Sequence, residues 1–135
     1  MGRNLEELLV LVIEDDPEIQ AIIDEALRDA GYEPALASSA EEAITLLRGR
    51  QIKYRVLVAD ITLAGRTDGW AVARAAREID PEFPVVYMTG AAANQWAVQG
   101  VPNSILLTKP FAPAQLVTAI SNLLNASGPS NGPIE

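Results

Sequence analysis

The sequence predicts a doubly wound α/β domain, a parallel sheet covered by helices on both faces. Two observations predict it: short apolar runs alternate with amphipathic stretches along the whole chain, and the connections between them are short. A third agrees: the first run, Leu8–Ile13, does not alternate with polar residues, as expected of a strand buried on both faces.

The elements follow in order. A first helix is expected over Pro17–Ala30, where Ile19, Ile22, Ile23, Ala26, Leu27 and Ala30 make one apolar stripe. Asp16 suits its N-cap, Pro17 its first position and Gly31 the residue just past its end. A weaker second strand lies at Glu33–Ala37, and a capping box from Ser39 to Glu42 opens a helix that runs to about Arg48. Arg55–Ala59 is a third strand ending on Asp60, followed by the loop Ile61–Thr67 and a helix from Asp68 to Ile79, closed by Asp80-Pro81. Val85–Met88 is a fourth strand ending on Thr89. Gly90–Asn103 has little helical stripe and contains Gly100 and Pro102, so a fourth helix there is expected to be short and of low local stability. Ile105–Leu107 is the fifth strand, followed by Thr108-Lys109-Pro110, and Pro113–Asn125 is the last helix. Residues 1–126 read as one domain and 127–135 as a flexible polar tail rich in Gly, Pro and Ser.

Composition narrows the chemistry. At 135 residues there is room for one domain, and 49% hydrophobic residues suffice for a real core. The chain has no cysteine and no histidine, which excludes disulfides, thiolate nucleophiles, serine–histidine catalysis and imidazole ligands. A net charge of −8 argues against direct nucleic-acid binding. The longest apolar run is too short to span a membrane and lacks a signal peptide's basic flank; Met1-Gly2 opens like a myristoylation signal, but position 6 is Glu6. A cytoplasmic protein is expected.

In doubly wound sheets, ligands bind beyond the carboxyl ends of the strands. Polar groups gather there: Glu14-Asp15-Asp16 after the first strand, Asp60 after the third, Thr89 after the fourth and Lys109 after the fifth. Several carboxylates on one rim repel unless a cation sits among them, and an all-oxygen donor set suits Mg²⁺. Taken singly, each has an ordinary explanation: acids before a helix are usually caps, an Asp at a strand end usually a turn residue, and a Lys-Pro pair usually nothing. Four strand ends in the right order make coincidence a poor account.

The stretches VLVIEDDPEI, LVADITLAG…DGW, PVVYMTG and LLTKPF resemble the receiver domains of two-component response regulators, over residues 8 to 125. The resemblance implies a five-stranded flavodoxin-like, CheY-like sheet of order 2-1-3-4-5. It implies a Mg²⁺ site in which Asp15 binds directly, Glu14 through water, and Asp60 and the Thr62 carbonyl complete the protein ligands. It further implies that Asp60 is the phosphoacceptor, that Thr89 and Lys109 bond the phosphoryl oxygens, that Gly90 leaves the phosphoryl path open, and that Lys109–Pro110 is cis. The implied donor is a sensor histidine kinase or a histidine phosphotransfer protein; the downstream protein is unknown, and a homodimer is possible. Such a chain is a phosphorelay switch, not an enzyme.

The sequence departs from the family pattern at Leu106, where most receivers carry a rotating Tyr or Phe, and in the short Thr89-to-Lys109 interval. Signalling by an aromatic rotamer is therefore not expected, and ordering of Gly90–Asn103, with Trp96 as its reporter, is the expected readout. A phosphorylation-independent adaptor is the alternative, disfavoured by the complete set of site residues. An aspartyl-phosphate phosphatase of the haloacid dehalogenase type would need Asp-x-Asp where the chain reads Asp60-Ile61-Thr62, and EDDP would repel a flavin phosphate.

Overall fold

The computed structural model describes residues 9–63, 68–90 and 95–126. The proposed tail, 127–135, and part of the Gly90–Asn103 segment, 91–94, lie outside the described residues. The elements are β1 (Leu9–Ile13), α1 (Pro17–Asp29), β2 (Glu33–Ala37), α2 (Ala40–Gly49), β3 (Val56–Asp60), α3 (Gly69–Ile79), β4 (Val85–Thr89), α4 (Trp96–Gln99), β5 (Ile105–Thr108) and α5 (Pro113–Ala126). The five strands are parallel in the order β2-β1-β3-β4-β5. Predicted and observed boundaries agree within about two residues, the usual play at element ends.

The local signals act as their chemistry requires. The Asp16 carboxylate accepts from the Glu18 amide at 2.9 Å, capping α1. Gly31, just past its end, takes φ 94°, which only glycine adopts cheaply. Ser39 Oγ accepts from the Glu42 amide at 3.1 Å, while Glu42 Oε1 reaches back to the Ser38 amide rather than to that of Ser39. Asp68 precedes α3 without a side-chain cap bond. The fourth helix is four residues long.

The sheet divides the core in two. Val10, Val12, Val56, Val58, Val86 and Met88 face α1 and α5 through Ile23, Leu27, Leu116 and Ile120. Leu11, Ile13, Leu57, Ala59, Val85 and Tyr87 face α2 and α3 through Leu47, Trp70, Val72 and Ala76. Strands buried on both faces leave polar groups only at their ends, so the rim is where chemistry can collect. Among the described residues no helix is long and apolar enough to cross a membrane.

Candidate metal and phosphoryl site

Strand alternation aims the site. The stripe that puts Val10 and Val12, Val56 and Val58, and Ile105 and Leu107 on the α1/α5 side continues to Glu14, Asp60 and Lys109. These three side chains meet: Lys109 Nζ lies 3.0 Å from Asp60 Oδ2 and 3.2 Å from Glu14 Oε1. The Asp15 carboxylate joins them from the mouth. One oxygen from each of Glu14, Asp15 and Asp60 falls within 4.8 Å of the others, a set that could hold a metal ion. Glu14 and Asp60 are buried whereas Asp15 is exposed, so the cluster opens to solvent on one side.

The backbone holds these groups in place. Glu14 Oε2 accepts from the Asp16 amide at 3.1 Å, and the Glu14 amide donates to the Ala37 carbonyl at 3.0 Å. Asp60 Oδ1 accepts from the Thr62 amide at 3.2 Å, so Thr62 touches the site through its N–H. The Ile61 amide donates to the Met88 carbonyl at 2.9 Å and the Lys109 amide to the Thr89 carbonyl at 2.7 Å, tying β3, β4 and β5 together at the rim. Thr89 is fully buried at the end of β4, in register with Thr108. Among the described residues, the one atom that a Cβ added at Gly90 would meet is Lys109 Cβ, at 3.9 Å. The Lys109–Pro110 peptide is cis.

Crowded, desolvated acids resist ionisation. Burial, and then the charge of Asp60, push Glu14 up to about 7, against the pull of the Asp16 amide and of Lys109. Burial alone would lower Lys109, but its hydrogen bond and charge contact with Asp60, together with Glu14, hold it above its ordinary value. An ammonium that remains charged and acids short of positive charge define a site that would welcome a cation and an incoming anion in turn.

Two further residues belong to this region and carry no motif. The Gln20 side-chain amide donates to the Glu14 carbonyl and reaches Ser38 Oγ at 3.3 Å, bridging the loops after β1 and β2. Its signal was a polar residue beside the apolar stripe of α1. Tyr87 in β4 is fully buried, and its hydroxyl accepts from the Val101 amide at 3.0 Å. A phenol inside an otherwise aliphatic strand needs a partner, which is the signal the sequence offered.

The sequence matches the family model of the response regulator receiver domain over residues 10–121. It is 31% identical over 132 residues to the phosphate regulon transcriptional regulatory protein PhoB of Pseudomonas aeruginosa, covering 93% of this chain and 56% of that protein. It is also 31% identical to the transcriptional regulatory protein PrrA of Mycobacterium leprae, covering 95% of this chain and 54% of that protein. The chain thus spans about half the length of these curated relatives. Among solved structures, a response regulator receiver protein from Sinorhizobium medicae superposes with a TM-score of 0.86 at 45% identity, covering 91% of this chain and 98% of that one. The receiver domain of the sensor histidine kinase PA1611 of Pseudomonas aeruginosa, solved with a magnesium ion in its active-site cleft, superposes with a TM-score of 0.74 at 25% identity, covering 87% of this chain and 97% of that one. The chain belongs to the response regulator receiver domain family, whose members act as signalling switches.

Proposed function

We propose that this receiver domain accepts a phosphoryl group on Asp60 in a Mg²⁺-dependent reaction and acts as a phosphorelay switch. What supports this reading above all is the convergence of Glu14, Asp15, Asp60 and Lys109, from three strand ends, on one half-open rim. The donor set fits Mg²⁺: all its atoms are hard oxygens, and the exposed Asp15 leaves room for the waters that this ion retains. Glu14, Asp15, Asp60 and the Thr62 carbonyl are the residues we assign to hold it. When bound, it supplies neutralisation of the phosphoryl oxygens.

The chain's own residues do the rest. An Asp60 carboxylate oxygen attacks phosphorus in line, a new O–P bond forms, and the P–N bond to the donor's phosphohistidine breaks. The departing imidazole keeps the bonding pair and takes up a proton from solvent. Lys109, now 3.0 Å from Asp60 Oδ2, pairs with the phosphoryl oxygens, and the Thr89 hydroxyl donates to them. A carboxylate nucleophile needs no base, which suits a chain without histidine.

The partners we assign are a sensor histidine kinase or a histidine phosphotransfer protein upstream, with residues 1–126 acting as the receiving unit. A small acyl phosphate with and without Mg²⁺, read by intact mass, tests the reading. One phosphoryl adduct is expected with the metal and none in Asp60→Asn. Labelling at wild-type level in that variant would overturn the acceptor assignment, and absence of both metal binding and labelling would favour the phosphorylation-independent adaptor.

A further inference from the structure

The segment after β4 hangs from the sheet at a buried point. Tyr87 is boxed in, with the Trp70 ring of α3 edge-on at 4.8 Å between centroids and Leu106 opposite it in register on β5. With no exposed surface it has no outward rotamer to take, so what it offers the segment beyond is its hydroxyl. That hydroxyl holds the Val101 amide at 3.0 Å. The Val101 carbonyl is taken as well, by Ser104 Oγ at 2.7 Å, and Ser104 Oγ in turn accepts from Trp96 Nε1 at 2.9 Å. Trp96 closes over Gly100, where an added Cβ would sit 2.4 Å from the indole Cδ1. Residues 96–104 therefore form one braced unit with Val101 as its node. Arg74 Nη1 reaches the Gln99 carbonyl at 3.3 Å, an exposed bond that water can replace.

We propose that Tyr87 is the positioning residue that conveys the state of the phosphoryl site to this unit, its buried hydroxyl–Val101 bond being the link. Tyr87 and Thr89 are two apart on one strand, so their side chains stand on the same face of the sheet. Thr89 is tied through its carbonyl to the Lys109 amide. A phosphoryl group on Asp60 that draws the Thr89 hydroxyl toward it displaces the end of β4 and, with it, the phenol oxygen. Leu106, opposite, has no polar group with which to pass a displacement on. The link thus replaces a rotating aromatic on β5 with a fixed aromatic on β4, and it rests on the phosphoacceptor reading.

The test is hydrogen exchange over residues 95–104, resolved by NMR, with and without beryllofluoride and Mg²⁺, in the wild type and in Tyr87→Phe. In the wild type, beryllofluoride should change exchange of this segment about ten-fold, and in Tyr87→Phe less than about two-fold, with acyl-phosphate labelling of Asp60 retained. A merely structural Tyr87 would raise exchange in both states and leave their ratio intact; that result overturns the inference. If the wild type labels normally but the segment never responds, this inference alone fails. If it neither labels nor binds beryllofluoride, the phosphoacceptor reading fails and takes this inference with it. Should Tyr87→Phe not fold, the wild-type Val101 amide resonance decides: it must shift on beryllofluoride, and an unmoved resonance overturns the link.

Discussion

Lys109 reaches from the end of β5 to place its ammonium 3.0 Å from Asp60 Oδ2 at the end of β3, and the same nitrogen lies 3.2 Å from Glu14. One cation thus holds two buried acids together while being itself three-quarters buried. Breaking such a pair leaves an uncompensated charge, which costs more than the pair itself contributes. Lys109→Gln should therefore destabilise the metal-free protein by about 2 kcal/mol, toward the low side for a buried pair because the site is open at Asp15. Added Mg²⁺ should restore part of the loss, since it supplies the missing charge. Thermal melts with and without Mg²⁺ check this, and an unchanged metal-free melting temperature would count against it.

Asp15 is the exposed member of the acid cluster. Removing it takes away a proposed metal ligand and, without metal, a repulsive charge. Asp15→Ala should weaken Mg²⁺ binding more than about ten-fold from a millimolar starting value, because few protein oxygens are available. The metal-free form should become more stable at the same time. Calorimetry and urea unfolding must show opposite signs for the two effects.

The pH dependence follows from Glu14. Its folded-state value is raised to about 7, above the ordinary 4.5, by burial and by Asp60. The folded protein therefore binds a proton here more readily than the unfolded chain, and stability must fall as pH rises between those two values. The contribution is on the order of 3 kcal/mol for a shift of this size, complete above neutrality and absent below about pH 4. Metal-free urea midpoints should decline over that window. Glu14→Gln should flatten the decline, and a wild-type midpoint that rises steadily from pH 5 to 7 would contradict it.

The site's first rank was legible in the sequence because strand ends can be counted. Asp60, Thr89 and Lys109 follow apolar runs, so their placement on one rim needed only the alternation of strands and helices. The charge balance among them was not legible, since it depends on which side chains share a face, and face parity shifts with a one-residue change in strand start. The braced unit around Val101 was also hidden. Gly100, Pro102 and the missing helical stripe read as weakness, and the helix is indeed four residues long. The segment is nonetheless held by side-chain bonds from Tyr87, Trp96 and Ser104, which leave no periodicity behind. Gln20 and Gly69 escaped for the same reason: their roles are contacts across the fold, not local patterns.

Gly69 tests how tightly Asp60 is seated. The first residue of α3 lies against the backbone that carries Asp60, and its amide donates to the Ile61 carbonyl at 3.0 Å. A Cβ added there would lie 2.3 Å from the Asp60 carbonyl oxygen and 2.6 Å from Ile61 Cα. Both are backbone atoms, so no flexible side-chain tip can yield, and either α3 or the end of β3 must shift. Gly69→Ala gains helix propensity, worth up to about 1 kcal/mol, but the overlap costs about 1–3 kcal/mol, so the net effect should be destabilising. The shift also displaces Asp60 from its bonds with the Thr62 amide and Lys109. Phosphoryl transfer is sensitive to in-line positioning, so labelling by acyl phosphate should slow by about ten-fold or more even at temperatures where the variant is fully folded. Rate and stability, measured on the same sample by intact mass and circular dichroism, separate the two effects. A variant as stable and as quickly labelled as the wild type would mean that α3 can slide away from β3 without disturbing Asp60.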